Sequence, residues 1–85
     1  MKVAIACESS SFQLKEQVKK HIISLGYEVV DVGQQREDEN VLYFEASANL
    51  AERIQNGECE RGIVFCGTGA GASLIANKFK GVYCV

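Results

Sequence analysis

One stretch decides the fold of this chain, and it reads Arg61-Gly62-Ile63-Val64-Phe65-Cys66-Gly67-Thr68-Gly69-Ala70-Gly71-Ala72-Ser73. Its first half is a short apolar run that ends in a cysteine, and its second half alternates glycine with small residues. The apolar residues that follow, from Leu74 to Ala76, begin a helical pattern. The stretch therefore predicts a strand, a tight turn and a helix in direct succession.

The turn at residues 66–71, called the glycine loop below, has the composition of an anion-binding site. Glycines at positions 67, 69 and 71 let the backbone turn sharply, so that successive N–H groups can point into one concavity. The positive N-terminal end of the following helix favours a negative charge at the same place. A phosphate or a reaction oxyanion fits there, with Cys66 at the carboxyl end of its strand, where open α/β sheets bind ligands.

The spacing of the glycines does not by itself identify a ligand. It is not the Gly-x-Gly-x-x-Gly of dinucleotide-binding proteins, and no Lys-Ser/Thr pair closes a P-loop. Free cysteine is also among the most buried residue types. A tight turn with a buried, inert Cys66 is therefore an equally good interpretation of the spacing alone.

Strands and helices alternate along the rest of the chain. Short apolar runs predict strands at 2–6, 27–32 and 63–66, and a fourth strand that begins at Val82. Apolar residues at helical spacing predict helices at 12–25, 41–56 and 72–78, the first of them closed by Gly26. The order βαβαβαβ is typical of an α/β fold with parallel strands, right-handed crossovers and helices on both faces of the sheet.

The first two helices have recognisable apolar faces. The face of the first helix comprises Phe12, Leu14, Val18, Ile22 and Leu25, while its lysines and His21 are expected in solvent. The face of the second helix comprises Ala46, Leu50, Ala51 and Ile54. The polar residues before the first helix include serines that we expect to cap it, and capping is the plain alternative to a binding role for Glu8 and Ser9.

Composition excludes several classes of protein. A net charge of −2 without a basic cluster argues against nucleic-acid binding, and no apolar run is long enough to span a membrane. The four cysteines contain no Cys-x-x-Cys pair and there is one histidine, so neither a metal site nor a disulfide framework is expected. We expect reduced thiols and a cytoplasmic location.

Length predicts one small domain over residues 1–85. The last five residues, 81–85, look like a strand that has only just begun. We therefore expect the domain to be truncated at its carboxyl end and to be part of a longer polypeptide.

Several motifs together resemble a known family. They are Phe65-Cys66-Gly67-Thr68-Gly69-Ala70-Gly71, Ile75-Ala76-Asn77-Lys78-Phe79-Lys80-Gly81-Val82, Lys2-Val3-Ala4-Ile5-Ala6, Phe12-x-Leu14-Lys15 and Gly26-Tyr27-Glu28-Val29-Val30-Asp31-Val32-Gly33. Over its whole length the chain resembles the ribose-5-phosphate isomerase B and galactose-6-phosphate isomerase (LacA/LacB) family. The resemblance implies a Rossmann-like (flavodoxin-like) three-layer α/β/α sandwich. It also implies aldose–ketose isomerisation of a pentose or hexose phosphate through a cis-enediolate, without metal or organic cofactor, in a homodimer or homotetramer whose sites lie at the subunit interface.

The resemblance implies a role for individual residues. Cys66 matches the general base of the cysteine subclass, and Ala72 stands where another subclass has a glutamate. Thr68 matches a hydroxyl that assists near the reacting oxygens, and Tyr43 matches a tyrosine near the sugar. The remaining implied substrate-binding positions are Glu8, Ser9, Asn77 and the anion hole formed by the backbone N–H groups of Gly67, Gly69, Ala70 and Gly71.

The chain departs from the family pattern in ways that concern the substrate more than the reaction. Glu8-Ser9 replaces the usual Asp-His, Leu42-Tyr43-Phe44 replaces Asp-Tyr-Pro, and Tyr83 replaces an arginine. The histidines that open the sugar ring and the arginines that hold its phosphate lie beyond Val85 in family chains. The identity of the sugar therefore stays open.

Two other functions remain compatible with the sequence. Loss of the Asp-His pair is what a non-catalytic sugar-phosphate-binding subunit or module of the same fold would show. A flavodoxin-like regulatory or nucleotide-binding domain would share only the fold, which does not determine function. Against the latter, Glu8 is the only acidic residue directly after the first strand, where receiver domains carry an acidic cluster.

Overall fold

A computed structural model describes all residues, 1–85, and contains one parallel sheet of three strands in the order β2-β1-β3. The elements are β1 (Lys2–Cys7), a 3₁₀ turn (Ser9–Ser11), α1 (Phe12–Ser24), β2 (Glu28–Asp31), α2 (Tyr43–Gln55), β3 (Arg61–Phe65) and α3 (Ala70–Ala76). None of the helices has both the length and the apolar character needed to cross a membrane. Residues 32–42 connect β2 to α2 and are called the β2–α2 loop below.

β1 is the central strand, and its residues 3–7 are at most 6% exposed. Such a run of small and β-branched residues suits a strand that is covered on both faces. Lys2 to Ile5 pair with β2, and Val3 to Cys7 pair with β3. The two outer strands are therefore positioned by their register on β1.

The helices cover both faces of the sheet. α1 packs on β1 and β2, whereas α2 packs on β1, β3 and α3. Ala4 and Ala6 meet Ala46 and Leu50 in the core on the α2 side. The crossovers from β1 to β2 and from β2 to β3 run in opposite directions across the sheet, and right-handed crossovers in opposite directions place α1 and α2 on opposite faces. The α/β/α sandwich predicted from the sequence is confirmed.

The fourth strand predicted from Val82 does not form, and residues 82–85 have no regular structure. The side chain of Asn77 makes two hydrogen bonds with the backbone of Cys84. Its Oδ1 accepts the Cys84 N–H at 2.8 Å, and its Nδ2 donates to the Cys84 carbonyl at 2.9 Å. The outer edge of β3 is unpaired.

α1 buries a different set of residues from the one predicted. Leu14 and Leu25 are 53% and 59% exposed, while Lys15 is completely buried. Lys15 is in helical phase with Phe12 and Ile22, and an ion pair with Asp31 compensates the burial of its charge. A serine, Ser11, stands at the N-cap of α1 as predicted, but its side chain makes no capping hydrogen bond.

The strand and helix ends differ slightly from the predicted ones. β3 ends at Phe65 because β1, its only partner, ends at the paired Cys7. Cys66 consequently lies in the glycine loop rather than in the strand. α2 begins at Tyr43 instead of residue 41, and α3 begins at Ala70 instead of residue 72.

Gly33 allows the β2–α2 loop to cross the end of β1. A Cβ atom at this position would lie 2.7 Å from the Cys7 nitrogen and 2.8 Å from the Ala6 Cα. Both are backbone atoms of the central strand, so they cannot move aside cheaply. The close approach therefore requires glycine.

We expect Gly33→Ala to lower the free energy of unfolding by about 1–3 kcal/mol, the usual cost of overpacking. Urea denaturation measures the change. Gly67→Ala is the matched control, because a Cβ there meets nothing within 4 Å and the backbone has no positive φ. Equal stability of the two variants would contradict the prediction.

Candidate functional site

The residues that follow β1 and β3 leave the sheet side by side. The N–H of Glu8 donates to the carbonyl of Phe65 at 3.1 Å, which places Glu8 next to the residue that precedes Cys66. The crossover from β1 to β2 and the crossover from β2 past β1 to β3 run in opposite directions across the sheet, so this edge is a topological switch point. Open α/β sheets bind their ligands in the crevice at such a point.

Ser9 joins this edge to the start of α2. Its N–H donates to the carbonyl of Val41 at 3.1 Å, and its Oγ donates to Asn40 Oδ1 at 3.3 Å. Ser10 Oγ donates to the carboxylate of Glu8. The β2–α2 loop and the residues after β1 therefore form one wall of the crevice.

The glycine loop forms the opposite wall. Gly69 is left-handed, with φ of 79°, and serves as the N-cap of α3. Thr68 Oγ1 accepts the N–H of Ala70 at 3.2 Å. The N–H groups of Gly67, Gly69 and Gly71 have no acceptor within the protein, whereas that of Ala70 is engaged by Thr68. Cys66 is half-buried and its thiol is free.

Tyr43 lies against the glycine loop. A Cβ at Gly71 would be 2.6 Å from Tyr43 Cε2, so the ring rests where a side chain would otherwise stand. The ring also meets Phe44 edge to face, with centroids 5.7 Å apart. The buried Ser47 Oγ donates to the Ala72 carbonyl, which fixes the helix bearing Tyr43 against α3.

The structure thus brings together most of the site residues predicted from the sequence. They are Glu8, Ser9, Tyr43, Cys66, Gly67, Thr68, Gly69, Ala70 and Gly71. Asn77 is not among them, because it lies at the opposite end of α3 and its amide serves Ser73 and Cys84. No group of three or more acidic, histidine or cysteine side chains is arranged to hold a metal.

A buried ionic cluster behind the site was missed by the sequence analysis. Lys15 Nζ lies 2.6 Å from Asp31 Oδ2 and also donates to the carbonyl of Gln34. Lys19 Nζ reaches the same Asp31 oxygen at 3.0 Å, and Asp31 Oδ1 accepts the Gly33 N–H at 3.2 Å. The available signal was the position of Lys15, three residues after Phe12 and seven before Ile22 on one helical face.

The charges of this cluster stabilise each other. Burial alone would raise the pKa of Asp31, but hydrogen bonds from Lys15 and Lys19 outweigh it and hold the pKa below its usual value. Burial alone would lower the pKa of Lys15, but Asp31 and Glu16 raise it. Both groups are therefore ionised at neutral pH.

The largest cavity lies elsewhere, along the unpaired edge of β3. Its volume is about 440 Å³, and residues 60–64 and 81–85 provide most of its lining. The walls are mainly apolar. The candidate site, in contrast, is an open crevice at the carboxyl edge of the sheet.

Comparison with known proteins identifies the family to which this chain belongs. A model of the family described as Ribose/Galactose Isomerase matches residues 3–85. The chain belongs to this family, as its motifs predicted.

Named relatives and solved structures agree with this assignment. The chain is 47% identical over 83 residues to 4-deoxy-4-sulfo-D-erythrose isomerase of Clostridium sp. (strain MSTE9), covering 98% of this chain and 52% of that protein. It is 37% identical to ribose-5-phosphate isomerase B of Escherichia coli (strain K12), covering 99% of this chain and 56% of that one. The structure of Clostridium thermocellum ribose-5-phosphate isomerase B superposes with a TM-score of 0.89 at 40% identity, covering 95% of this chain and 54% of the other. The chain spans about half the length of the curated relatives it matches.

We expect Gly71→Ala to displace the Tyr43 ring from the glycine loop while changing stability by less than about 1 kcal/mol. The lost contact is offset by the higher helix propensity of alanine, which is worth about 1 kcal/mol. NMR chemical shifts of the Tyr43 ring measure the displacement, with Gly67→Ala as the control. Unchanged ring resonances in Gly71→Ala would show that the two residues are not in contact.

The pKa of Asp31 predicts how stability depends on pH. A lowered pKa in the folded state stabilises the protein above the unfolded value of about 3.9, and this stabilisation is lost as the pH falls through the folded value. Asp31→Asn should lower the free energy of unfolding by about 3–5 kcal/mol at pH 7, because it leaves Lys15 buried without its main partner. The difference in the free energy of unfolding between Asp31→Asn and the native chain should become smaller below about pH 4. Urea denaturation at pH 7 and pH 3 tests this, and an equal difference at both would contradict it.

Proposed function

We propose that this chain carries the catalytic edge of an aldose–ketose isomerase that acts on a small sugar with a terminal anionic group. The observation that carries the proposal is the placement of a free thiol, Cys66, beside three unengaged backbone N–H groups at the switch point of the sheet. In a member of the Ribose/Galactose Isomerase family, this arrangement supports proton transfer through an enediolate.

The proposed reaction moves one proton between neighbouring carbons and a second proton between the oxygens that those carbons bear. Cys66, as the thiolate, removes the proton from the carbon beside the carbonyl group, and the electron pair of that C–H bond forms the enediolate double bond. A second proton passes from the hydroxyl oxygen of that carbon to the former carbonyl oxygen, and return of the first proton from Cys66 to the former carbonyl carbon completes the isomerisation. The atoms balance without an added oxidant, reductant or cofactor.

The glycine loop would stabilise the charge that develops on the oxygens. The N–H groups of Gly67, Gly69 and Gly71 are available as donors, and preorganised donors of this kind are worth on the order of 3 kcal/mol each. Thr68 Oγ1 accepts from Ala70, which leaves the hydroxyl hydrogen to be donated to a substrate oxygen. This division of roles makes Ala70 a support for Thr68 as well as a candidate donor.

The opposite wall would bind the sugar. The carboxylate of Glu8 accepts hydrogen bonds from hydroxyl groups, and Ser9 lies on the same side of the crevice, whereas Tyr43 rests on Gly71 of the glycine loop. The substitution of Glu8-Ser9 for Asp-His leaves an acid at the first position. We therefore assign substrate orientation, rather than proton transfer, to this wall.

The names of the relatives define the substrates to test. The relative with 47% identity is named for a four-carbon sulfonated sugar, and others are named for ribose 5-phosphate and erythrulose 4-phosphate. These substrates share a short carbon chain with a terminal oxyanion, either phosphate or sulfonate. The phosphorylated pentose or hexose implied by the resemblance is thus one part of the panel. Assembly as a homodimer or homotetramer and a cytoplasmic location stay predictions.

The test is deuterium exchange at the carbon next to the carbonyl group, which is carbon 2 of an aldose and carbon 1 of a ketose, followed by NMR in deuterated water. The panel contains ribose 5-phosphate, galactose 6-phosphate, erythrulose 4-phosphate and 4-deoxy-4-sulfo-D-erythrose. We expect exchange with one class of sugar and a loss of about 10²- to 10⁴-fold in Cys66→Ala, the usual contribution of a general base. Cys84→Ala is the matched control, because Cys84 is also half-buried but lies off the crevice.

The possible outcomes distinguish a wrong assignment of the general base from an absence of the reaction itself. Exchange that survives Cys66→Ala would show that another group is the base. Shifts of the Gly67 to Gly71 amide resonances on adding a sugar, without any exchange, would favour the non-catalytic binding subunit, which the Glu8-Ser9 departure makes the second candidate.

A further inference from the structure

The β2–α2 loop is long for a connection in an α/β unit, in which two to about six residues are usual. It comprises eleven residues, 32–42, and runs from the end of β2 across the end of β1 to α2. Its final residues hold Ser9, as described above. The position of this wall of the crevice therefore depends on what fixes the loop.

The start of the loop is fixed by Lys15 and Asp31. The ammonium of Lys15 has three hydrogens, and its three neighbours are Asp31, Glu16 and the carbonyl of Gln34. Its side chain is completely buried and stands 4.9 Å from the centroid of the Phe12 ring. The ammonium donates hydrogen bonds to Asp31 and to the Gln34 carbonyl, and the second of these fixes the backbone of the loop.

The interior of the loop connects this start to its end. Glu39 Oε1 accepts the backbone N–H groups of Gln35 and Arg36 at 2.7 and 2.8 Å. Gln34 is buried, and its Nε2 donates to the Arg36 carbonyl at 2.8 Å. Glu39 is followed directly by Asn40 and Val41, the two partners of Ser9. Hydrogen bonds within the loop, together with the short covalent step from Glu39 to Asn40 and Val41, therefore connect Lys15 to Ser9.

We propose that Lys15 and Asp31 are positioning residues for the candidate site. The ion pair sets the place of the β2–α2 loop, and the loop sets the place of Ser9. The proposed function assigns substrate orientation to this wall, and the consequence for turnover rests on that assignment. The base lies on the other wall, so loss of the ion pair should weaken substrate binding more than it slows proton transfer.

The variants remove the charges without leaving one of them buried alone. Lys15→Met keeps the aliphatic stem, and Asp31→Asn keeps the size and the acceptor of the Gly33 N–H. The double variant is the main test, because replacing both members of a buried pair by neutral groups is far better tolerated than removing one. Arg53→Met is the control, since it breaks an ion pair with Glu58 at the other end of α2.

The first measurement does not depend on activity. Amide hydrogen exchange followed by NMR should show the Ser9 and Gly33 N–H groups exchanging at least tenfold faster in the double variant. The Ile5 and Ala6 N–H groups of the central strand should exchange as in the native chain, and Arg53→Met should leave all four unchanged. An unchanged Ser9 rate in the folded double variant would overturn the proposal.

The second measurement separates positioning from a general loss of folded protein. With D-ribose 5-phosphate we expect the double variant to raise KM at least fivefold and to lower kcat less than threefold. A lower kcat with an unchanged KM would overturn the positioning role. If the native chain does not turn over any sugar of the panel, the proposed function fails, and the amide exchange rates still decide whether the ion pair places Ser9.

Discussion

The structure depends on a single strand that is buried on both faces and paired along both edges. β1 contributes Ala4 and Ala6 to the core below α2, and it fixes the register of β2 and β3. Parallel strands need crossovers, and the two crossovers around β1 travel to opposite sides. The crevice at the carboxyl edge is a geometric result of this arrangement. Its position follows from the strand order before any catalytic side chain is considered.

The two walls of the crevice are built on different principles. The glycine loop is shaped by the backbone, through the left-handed Gly69 and the missing side chain at Gly71 on which Tyr43 rests. The opposite wall is a long polar loop, held by side chains and by a buried ion pair. The departures from the family pattern at Glu8-Ser9 lie on the second wall. Such a division allows the sugar to vary while the proposed reaction stays the same.

Local signals and long-range pairing explain which predictions were correct. The strand, glycine loop and helix around Cys66 were found because each depends on neighbouring residues, and the order of elements then gave the sandwich. The burial of Lys15 was missed because its partner Asp31 is sixteen residues away and the helical pattern alone favoured Leu14. The predicted fourth strand was wrong because a strand requires backbone pairing with a neighbouring strand, which the apolar pattern of residues 82–85 does not report. The roles of the site residues depend on a substrate, so they stay predictions.

The placement of the four cysteines gives the protein two kinetically distinct classes of thiol. Cys7 and Cys59 are buried, and burial raises the pKa of both thiols, so that little thiolate is present for an alkylating reagent to attack. Cys66 and Cys84 are only half-buried. In a time course of iodoacetamide labelling resolved by mass spectrometry, the slow class reports opening of the whole fold, and Cys66 reports access to the crevice. A compound that occupies the glycine loop would change one rate and leave the other as an internal reference.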